Sequence, residues 1–271
     1  MASVILAFGL FAFGSPLVKD GMQGDAMEVS SNDVLGYYKG KLVLEHYEEA
    51  TRRVGTWASE ELVFRQSFPD RQASLLELGC GTGRICLSLW MLGYENLTGT
   101  DFSKDMISRA LETQKERASA VRFAVEDATR LSFPDQSFDG VIFGFNGLMQ
   151  IPGRENRLRA MREVCRVLKK GRRFVFTTHD RAFPKWKKFW KVEKRKWRNG
   201  QQDESLIDFG DRFEETPRGK LFIHVPDTAE IRDDLKKAGL VVERDQLRSR
   251  LADESELVKE FSDECRFWVA R

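Results

Sequence analysis

The chain has 271 residues, of which 41% are hydrophobic and 32% charged, and its formal net charge is +2. Such a length suits one sizeable domain with embellishments, or at most two small ones, in an ordinary soluble globular protein. The near-neutral balance points to no particular partner, and the four cysteines, Cys80, Cys86, Cys165 and Cys265, are too scattered for a zinc site or a disulfide framework. No metal site is expected, and a reducing cytoplasm is the simplest setting.

Val4 to Gly14, VILAFGLFAFG, is an apolar run too short to span a bilayer. It resembles a signal-peptide core, yet no Lys or Arg precedes it, no clear cleavage box follows, and Met22 and Met27 are alternative starts. Residues 1–27 are therefore set apart as a leader or a mis-assigned start, and 28–271 are read as a single domain. From Asp33 to Phe68 apolar and charged residues recur at helical spacing, with Thr56 a fitting N-cap for the second half, so 28–70 form a helical cover.

Short apolar runs then alternate with helical stretches. Strands are expected at Ser74–Leu78, Leu97–Thr100, Val121–Val125, Gly140–Phe145 and Arg173–Thr178, and helices at Gly83–Leu92, Lys104–Arg117 and Arg154–Leu168. This order implies an α/β fold with a doubly wound, mostly parallel sheet, and a core at 71–180. Residues 181–226 read as an insertion: a basic, tryptophan-rich helix around 185–198, a polar loop, and a strand, KLFIHVP, closed by Pro226. A closing helix and strands occupy 227–271, with Asp227 or Thr228 as helix cap and Gly239 as its stop.

The stretch Ser74–Arg84, SLLELGCGTGR, puts glycines at 79, 81 and 83 directly behind a strand. A strand, a glycine-rich turn and a helix form a ligand-binding end in a parallel α/β sheet, where helix N-terminal amides are free. The spacing G-x-G-x-G differs from the dinucleotide fingerprint G-x-G-x-x-G, and Glu77 stands two residues before the first glycine. A carboxylate there suits an ammonium group better than a phosphate. Asp101, ending the second strand, is placed to accept from both ribose hydroxyls, and Asp127, after the third, from an adenine amino group, with the Ala128 amide facing a ring nitrogen. Ammonium, ribose and adenine together outline S-adenosylmethionine.

On these residues the chain resembles the class I S-adenosylmethionine-dependent methyltransferases. LLELGCGTGR resembles the family's first motif, GTDFSKDMI its acidic second-strand motif, and VEDATRLSFPDQSFDGVIFGF its third and fourth, over roughly Ser74 to His179. The resemblance implies a seven-stranded Rossmann-like sheet whose last strand is antiparallel. It also implies that Gly79, Cys80, Gly81 and Gly83 surround the methionine part of S-adenosyl-L-methionine, with Asp101 on the ribose and Phe102 beside it. Asp127 and Ala128 would hold the adenine, Phe145 and Asn146 would lie near the sulfonium, and S-adenosyl-L-homocysteine would be the product. In family members with extra N-terminal helices these close over the cofactor, which makes Tyr47 and Trp57 candidates to touch it; the alternative is that both pack the helical layer on the sheet.

Methyl transfer needs a general base only where the acceptor atom carries a proton. His179, just past the fifth strand, is a candidate base or positioning group, or else a turn residue bonded to a carbonyl. His224 shares one face of its strand with Phe222, opposite Leu221, Ile223 and Val225, and is a second candidate; His46 reads as a solvated or capping histidine. The expected function is methyl transfer to a small-molecule acceptor enclosed by the cover and the insertion, with no membrane partner and nucleic acid not favoured. The alternatives are an RNA or protein methyltransferase using the basic helix, or a non-catalytic S-adenosylmethionine-binding module. An open positive trough at the sheet edge would mark the polymer enzyme.

Overall fold

The computed structural model describes residues 28–271, so the reading of 1–27 lies outside the described residues. The cover consists of α1 (Ser31–Tyr38), α2 (Lys41–Arg53) and α3 (Ala58–Ser67). Ser30 and Asp33 cap α1 reciprocally. At the start of α3 the N-cap is Trp57, not Thr56, because the Glu60 carboxylate accepts from the Trp57 amide at 3.0 Å and fixes the boundary there.

The core follows as β1 (Leu75–Leu78), α4 (Arg84–Met91), β2 (Leu97–Asp101), α5 (Lys104–Glu116), β3 (Arg122–Val125), β4 (Phe138–Phe143), α6 (Arg154–Val167) and β5 (Leu168–Thr178). The insertion supplies α7 (Lys187–Arg198) and the hairpin β6 (Asp211–Thr216) and β7 (Gly219–His224). The chain closes with α8 (Thr228–Lys237), β8 (Val242–Leu247), the short α9 (Arg248–Leu251) and α10 (Glu256–Phe261), and β9 (Arg266–Ala270). Asp227 caps α8, and Gly239, at φ +87°, follows its end.

Seven strands form one sheet in the order β3-β2-β1-β4-β5-β9-β8. The first five are parallel, while β9 runs antiparallel to both β5 and β8. Helices cover both faces, and strand alternation divides the apolar side chains between them. Leu75, Leu97, Ile142, Val175 and Phe267 join the core beneath the cover, with Trp57, Phe64 and Phe68. Leu76, Leu78, Val141, Phe174, Phe176 and Trp268 join the opposite core with α6 and α8. Strand order reverses between β1 and β4, which opens a crevice at their carboxyl ends.

The insertion differs from the sequence reading in one respect. Asp211–Thr216, to which the sequence reading gave no element, is a strand paired throughout with β7, from Asp211 opposite His224 to Thr216 opposite Gly219. Nor does β7 have one wet face, since Leu221 through Val225 are all buried. Leu221, Ile223 and Val225 form a small third core with Trp190 and Met149, against which Tyr37 and Tyr38 of α1 pack. The opposite face of β7 pairs Phe222 with Phe213 and binds His224 between carboxylates. The insertion and the cover thus meet above the carboxyl edge of the sheet.

Candidate active site

Behind β1 the backbone passes through left-handed conformations at Gly79 (φ +60°), Gly81 (+54°) and Gly83 (+91°), the last being the N-cap of α4. Glycine adopts these without steric cost, and a Cβ on Gly79 would stand 2.9 Å from the Phe143 ring. The turn is tied to the end of β2: the Cys80 amide donates to the Thr100 carbonyl at 2.8 Å, and the Gly81 amide to Asp101 Oδ2 at 2.8 Å. Asp101 Oδ1 accepts from the Ser103 amide at 2.8 Å. Burial pushes the Asp101 carboxyl above its ordinary value, with the two amides opposing the shift. A carboxylate has room for about four hydrogen bonds, so about two remain for a ligand.

A cleft of about 950 Å³, measured out to its open mouth, lies over this turn. Gly79, Gly81, Asp101, Phe102, Asp127, Ala128 and Phe145 line its sheet side. Val34, Leu35 and Tyr38 of α1, Tyr47 of α2, and Gln150, Ile151 and Pro152 line the rest of the wall. Asp127 Oδ1 accepts from both the amide and the hydroxyl of Thr129 at 2.8 Å. Among the described residues no Lys, Arg or His lines the cleft. Tyr38 donates its hydroxyl to Gln150 Oε1. Burial holds the Tyr38 phenol well above the usual range and pushes Tyr47 up to about 12, so neither takes up a proton near neutrality.

Glu77 occupies a smaller recess behind the turn, sharing Tyr47, Gly79, Gly81 and Phe145 with the cleft and lined further by Cys80, Thr82 and Arg84. Its Oε2 accepts from the Cys86 amide at 2.9 Å, and burial pushes its pKa up to about 8. Arg84 lowers it only in part, because both Arg84 terminal nitrogens bind Glu60, at 2.7 and 2.6 Å. This buried pair fastens α3 to α4, and Arg84 also donates to the Gly55 carbonyl. Helix α2 is fastened to the turn itself: the Thr82 hydroxyl donates to the Tyr47 carbonyl at 2.9 Å and lies 2.6 Å from the Thr51 hydroxyl. Tyr47 therefore stands over the glycine turn, as the sequence reading allowed.

The structure thus brings together Gly79, Gly81, Asp101, Phe102, Asp127, Ala128, Phe145 and Tyr47 in the cleft, and Glu77 and Cys80 in the adjoining recess. Gly83 and Asn146 lie beside these but line neither; Asn146 is buried, with its Oδ1 lacking a protein partner. Trp57 takes the packing alternative: it is 1% exposed, with Arg84 and Arg248 over its ring. His179 lies outside the cleft lining, its Nδ1 2.8 Å from the Glu264 carbonyl and its Nε2 3.3 Å from Asn146 Nδ2. The carbonyl accepts only, so Nδ1 carries the proton and both nitrogens are occupied. This is the turn-residue alternative.

His224 is not at the cleft either. It is 2% exposed, with Nδ1 2.7 Å from Asp211 Oδ1 and Nε2 2.5 Å from Glu230 Oε1, and it locks the hairpin to α8. Asp208, Asp211 and His224 group their ligand atoms within 4.8 Å, yet these atoms are already engaged. Asp208 Oδ2 accepts from Arg154 and Arg157, and Asp211 Oδ2 from the amides of Ile207 and Asp208. His46 stacks on Phe261 at 5.3 Å, and burial depresses its pKa to about 4. Sequence reasoning missed Tyr38, Gln150, Ile151 and Pro152. The apolar stripe of α1 was the local signal for Tyr38, and it could not tell packing from ligand contact.

Residues 75–171 match a family model described as a methyltransferase domain. Over 105 residues the chain is 37% identical to a demethylmenaquinone methyltransferase from Bacillus licheniformis, covering 38% of this chain and 43% of that protein. A protein of the same description from Staphylococcus aureus is 41% identical over 101 residues, 35% of this chain and 39% of that one. The chain thus matches less than half the length of these relatives. Among solved structures, an S-adenosylmethionine-dependent methyltransferase from Methanosarcina mazei superposes with a TM-score of 0.63 at 21% identity, covering 77% of this chain and 95% of that one. The [4+2]-cyclase SpnF superposes with a TM-score of 0.64 at 18% identity, covering 92% and 98%. Residues 75–171 are thus similar to a methyltransferase domain, and the chain has the seven-stranded Rossmann-like fold of the solved S-adenosylmethionine-dependent methyltransferase.

Proposed function

We propose that the protein transfers a methyl group from S-adenosylmethionine to a small, largely apolar acceptor. The observation that carries this reading is the cleft itself, in which the glycine turn, Asp101 and Asp127 share one space with an apolar wall from α1 and Ile151–Pro152. In this reading Asp101 receives the ribose hydroxyls through its remaining lone pairs, and Asp127 and the Ala128 amide receive the adenine. Glu77 faces the ammonium group from behind the turn, and the Asn146 Oδ1 is a spare acceptor close by. When bound, the cofactor would supply an activated methyl on a sulfonium, open to in-line attack at carbon by the acceptor's lone pair, with the C–S electron pair leaving on the neutral thioether.

What the chain supplies is alignment and exclusion of water. Neither phenol in the cleft deprotonates near neutrality, and the candidate histidines lie outside it, so the acceptor is aligned rather than deprotonated by them. The relatives named as demethylmenaquinone methyltransferases also support a small-molecule acceptor. The polymer alternative called for an open positive trough, whereas the cleft is roofed and its charged lining is acidic. SpnF, described as a cyclase on the same fold, shows why transfer itself must be measured.

The test has two arms. Asp101→Ala should weaken S-adenosylmethionine binding in calorimetry by about 1.5–3 kcal/mol, the value of a hydrogen bond to a charged group. Labelled S-adenosylmethionine incubated with cell extract should leave label in the small-molecule fraction. Unchanged affinity removes Asp101 from the site, and label confined to RNA or protein overturns the acceptor class.

A further inference from the structure

We infer that the outer face of α7 is a docking surface for a bilayer carrying anionic phospholipid. Trp190 is buried, and Trp186, Phe189 and Trp197 are half-buried toward the hairpin. The opposite face presents Lys187, Lys188, Lys191, Lys194, Arg195 and Arg198, all exposed. None of the six has a carboxylate partner among the described residues, whereas Lys185 is bridged to Asp263 and Lys196 to Glu193. A chain of net charge +2 thus concentrates six unpaired positive charges on a helix about 18 Å long. Their mutual repulsion is relieved by an extended negative surface, which a solvated face has no need to seek.

Three observations favour lipid over nucleic acid. A single-strand binder offers rings for bases to stack on, and here the rings of the helix are turned into the protein. The apolar side chain left on the outer face is Val192, 45% exposed among the cations, which suits a headgroup boundary. Further, among the described residues no Lys, Arg or His lines the cleft, so a phosphate backbone held on this face meets no cation at the site. Charge docking needs no spanning segment, and no helix of the described residues is long and apolar enough to cross a membrane. This proposal departs from the expectation of no membrane partner. The proposal goes beyond methyl transfer and does not depend on it.

The experiment is co-sedimentation of the full chain with vesicles of phosphatidylcholine alone or mixed with phosphatidylglycerol. The expected result is binding only to the mixed vesicles, weakening as salt is raised. Each cation near an anionic surface contributes about fivefold, so Lys187→Gln, Lys191→Gln and Lys194→Gln together should lose about a hundredfold. Circular dichroism melting shows whether the triple variant is folded, and the charge reversal Lys191→Glu alone provides a milder second variant. Equal binding to neutral vesicles, or wild-type binding by both variants, overturns the proposal. So does binding to polyuridylate, lost in the triple variant, without vesicle binding.

Discussion

Glu77→Gln tests the recess directly. The carboxyl is 3% exposed, accepts one amide hydrogen bond, and has its nearest cation committed to Glu60, so burial lifts its pKa from 4.5 to about 8. The native state therefore binds this proton more tightly than the unfolded chain does. Stability from the group is fully present below about pH 4.5 and is lost as pH rises through 8. The interval corresponds to about 5 kcal/mol, with a slope of up to about 1.4 kcal/mol per pH unit. That is a large share of the 5–15 kcal/mol typical of a folded domain.

Urea unfolding of wild type and Glu77→Gln at matched pH values from 5 to 9 isolates the term, because other titrating groups cancel in the difference. The wild type should fall steadily behind the variant as pH rises. An ammonium group placed in the recess should reverse the penalty by favouring the carboxylate, so cofactor binding near pH 7 should release a proton. Parallel unfolding curves would show that Glu77 is ionised throughout, and the reasoning from burial would fail.

Two further outcomes concern the framework. Arg84→Ala leaves Glu60 buried and unpaired beneath Trp57, and should cost roughly 3–5 kcal/mol in denaturant unfolding; a loss below about 1 kcal/mol would mean that α3 is held by packing alone. His224→Ala removes the hydrogen-bond partner shared by Asp211 and Glu230 and should cost about 3 kcal/mol, with S-adenosylmethionine affinity unchanged because the residue lies outside the cleft. A variant of normal stability but impaired methyl transfer would return His224 to the catalytic list.

The cofactor side of the site was legible because its signals are local. A glycine that must adopt positive φ, an acid closing a strand and an acid after the next strand each show within a few residues. The parallel topology then carries them to one edge. Strands β1 and β4 and the second half of β5 were legible for the same reason, since burial on both faces makes them near-continuous apolar runs. The hairpin strand β6 was not, because Asp211, Arg212, Glu214 and Glu215 lack the apolar signature and gain strand geometry only from pairing with β7. His224 misled by the same route: alternation names the face, but not whether that face meets a ligand or a pair of carboxylates.

The acceptor wall was least legible, and the structure gives the reason. Tyr38 comes from α1, Gln150 from the segment after β4, and the core that backs them from β7 and α7, four elements distant in the chain. Their convergence depends on how the cover seats. It is fastened where it meets the glycine turn and α4, by Thr82 on the Tyr47 carbonyl and by Arg84 on Glu60. Helix α1, by contrast, has no buried residue and rests on the insertion through Tyr37 and Thr216, 3.3 Å apart, and the contact of Val29 with Ser205. The end over the glycine turn is thus built on buried polar ties, and the opposite end on α1 and the insertion leaning on each other. Under the proposed function, such a division lets acceptor preference change through α1 and the insertion while the glycine turn and its acids stay as they are.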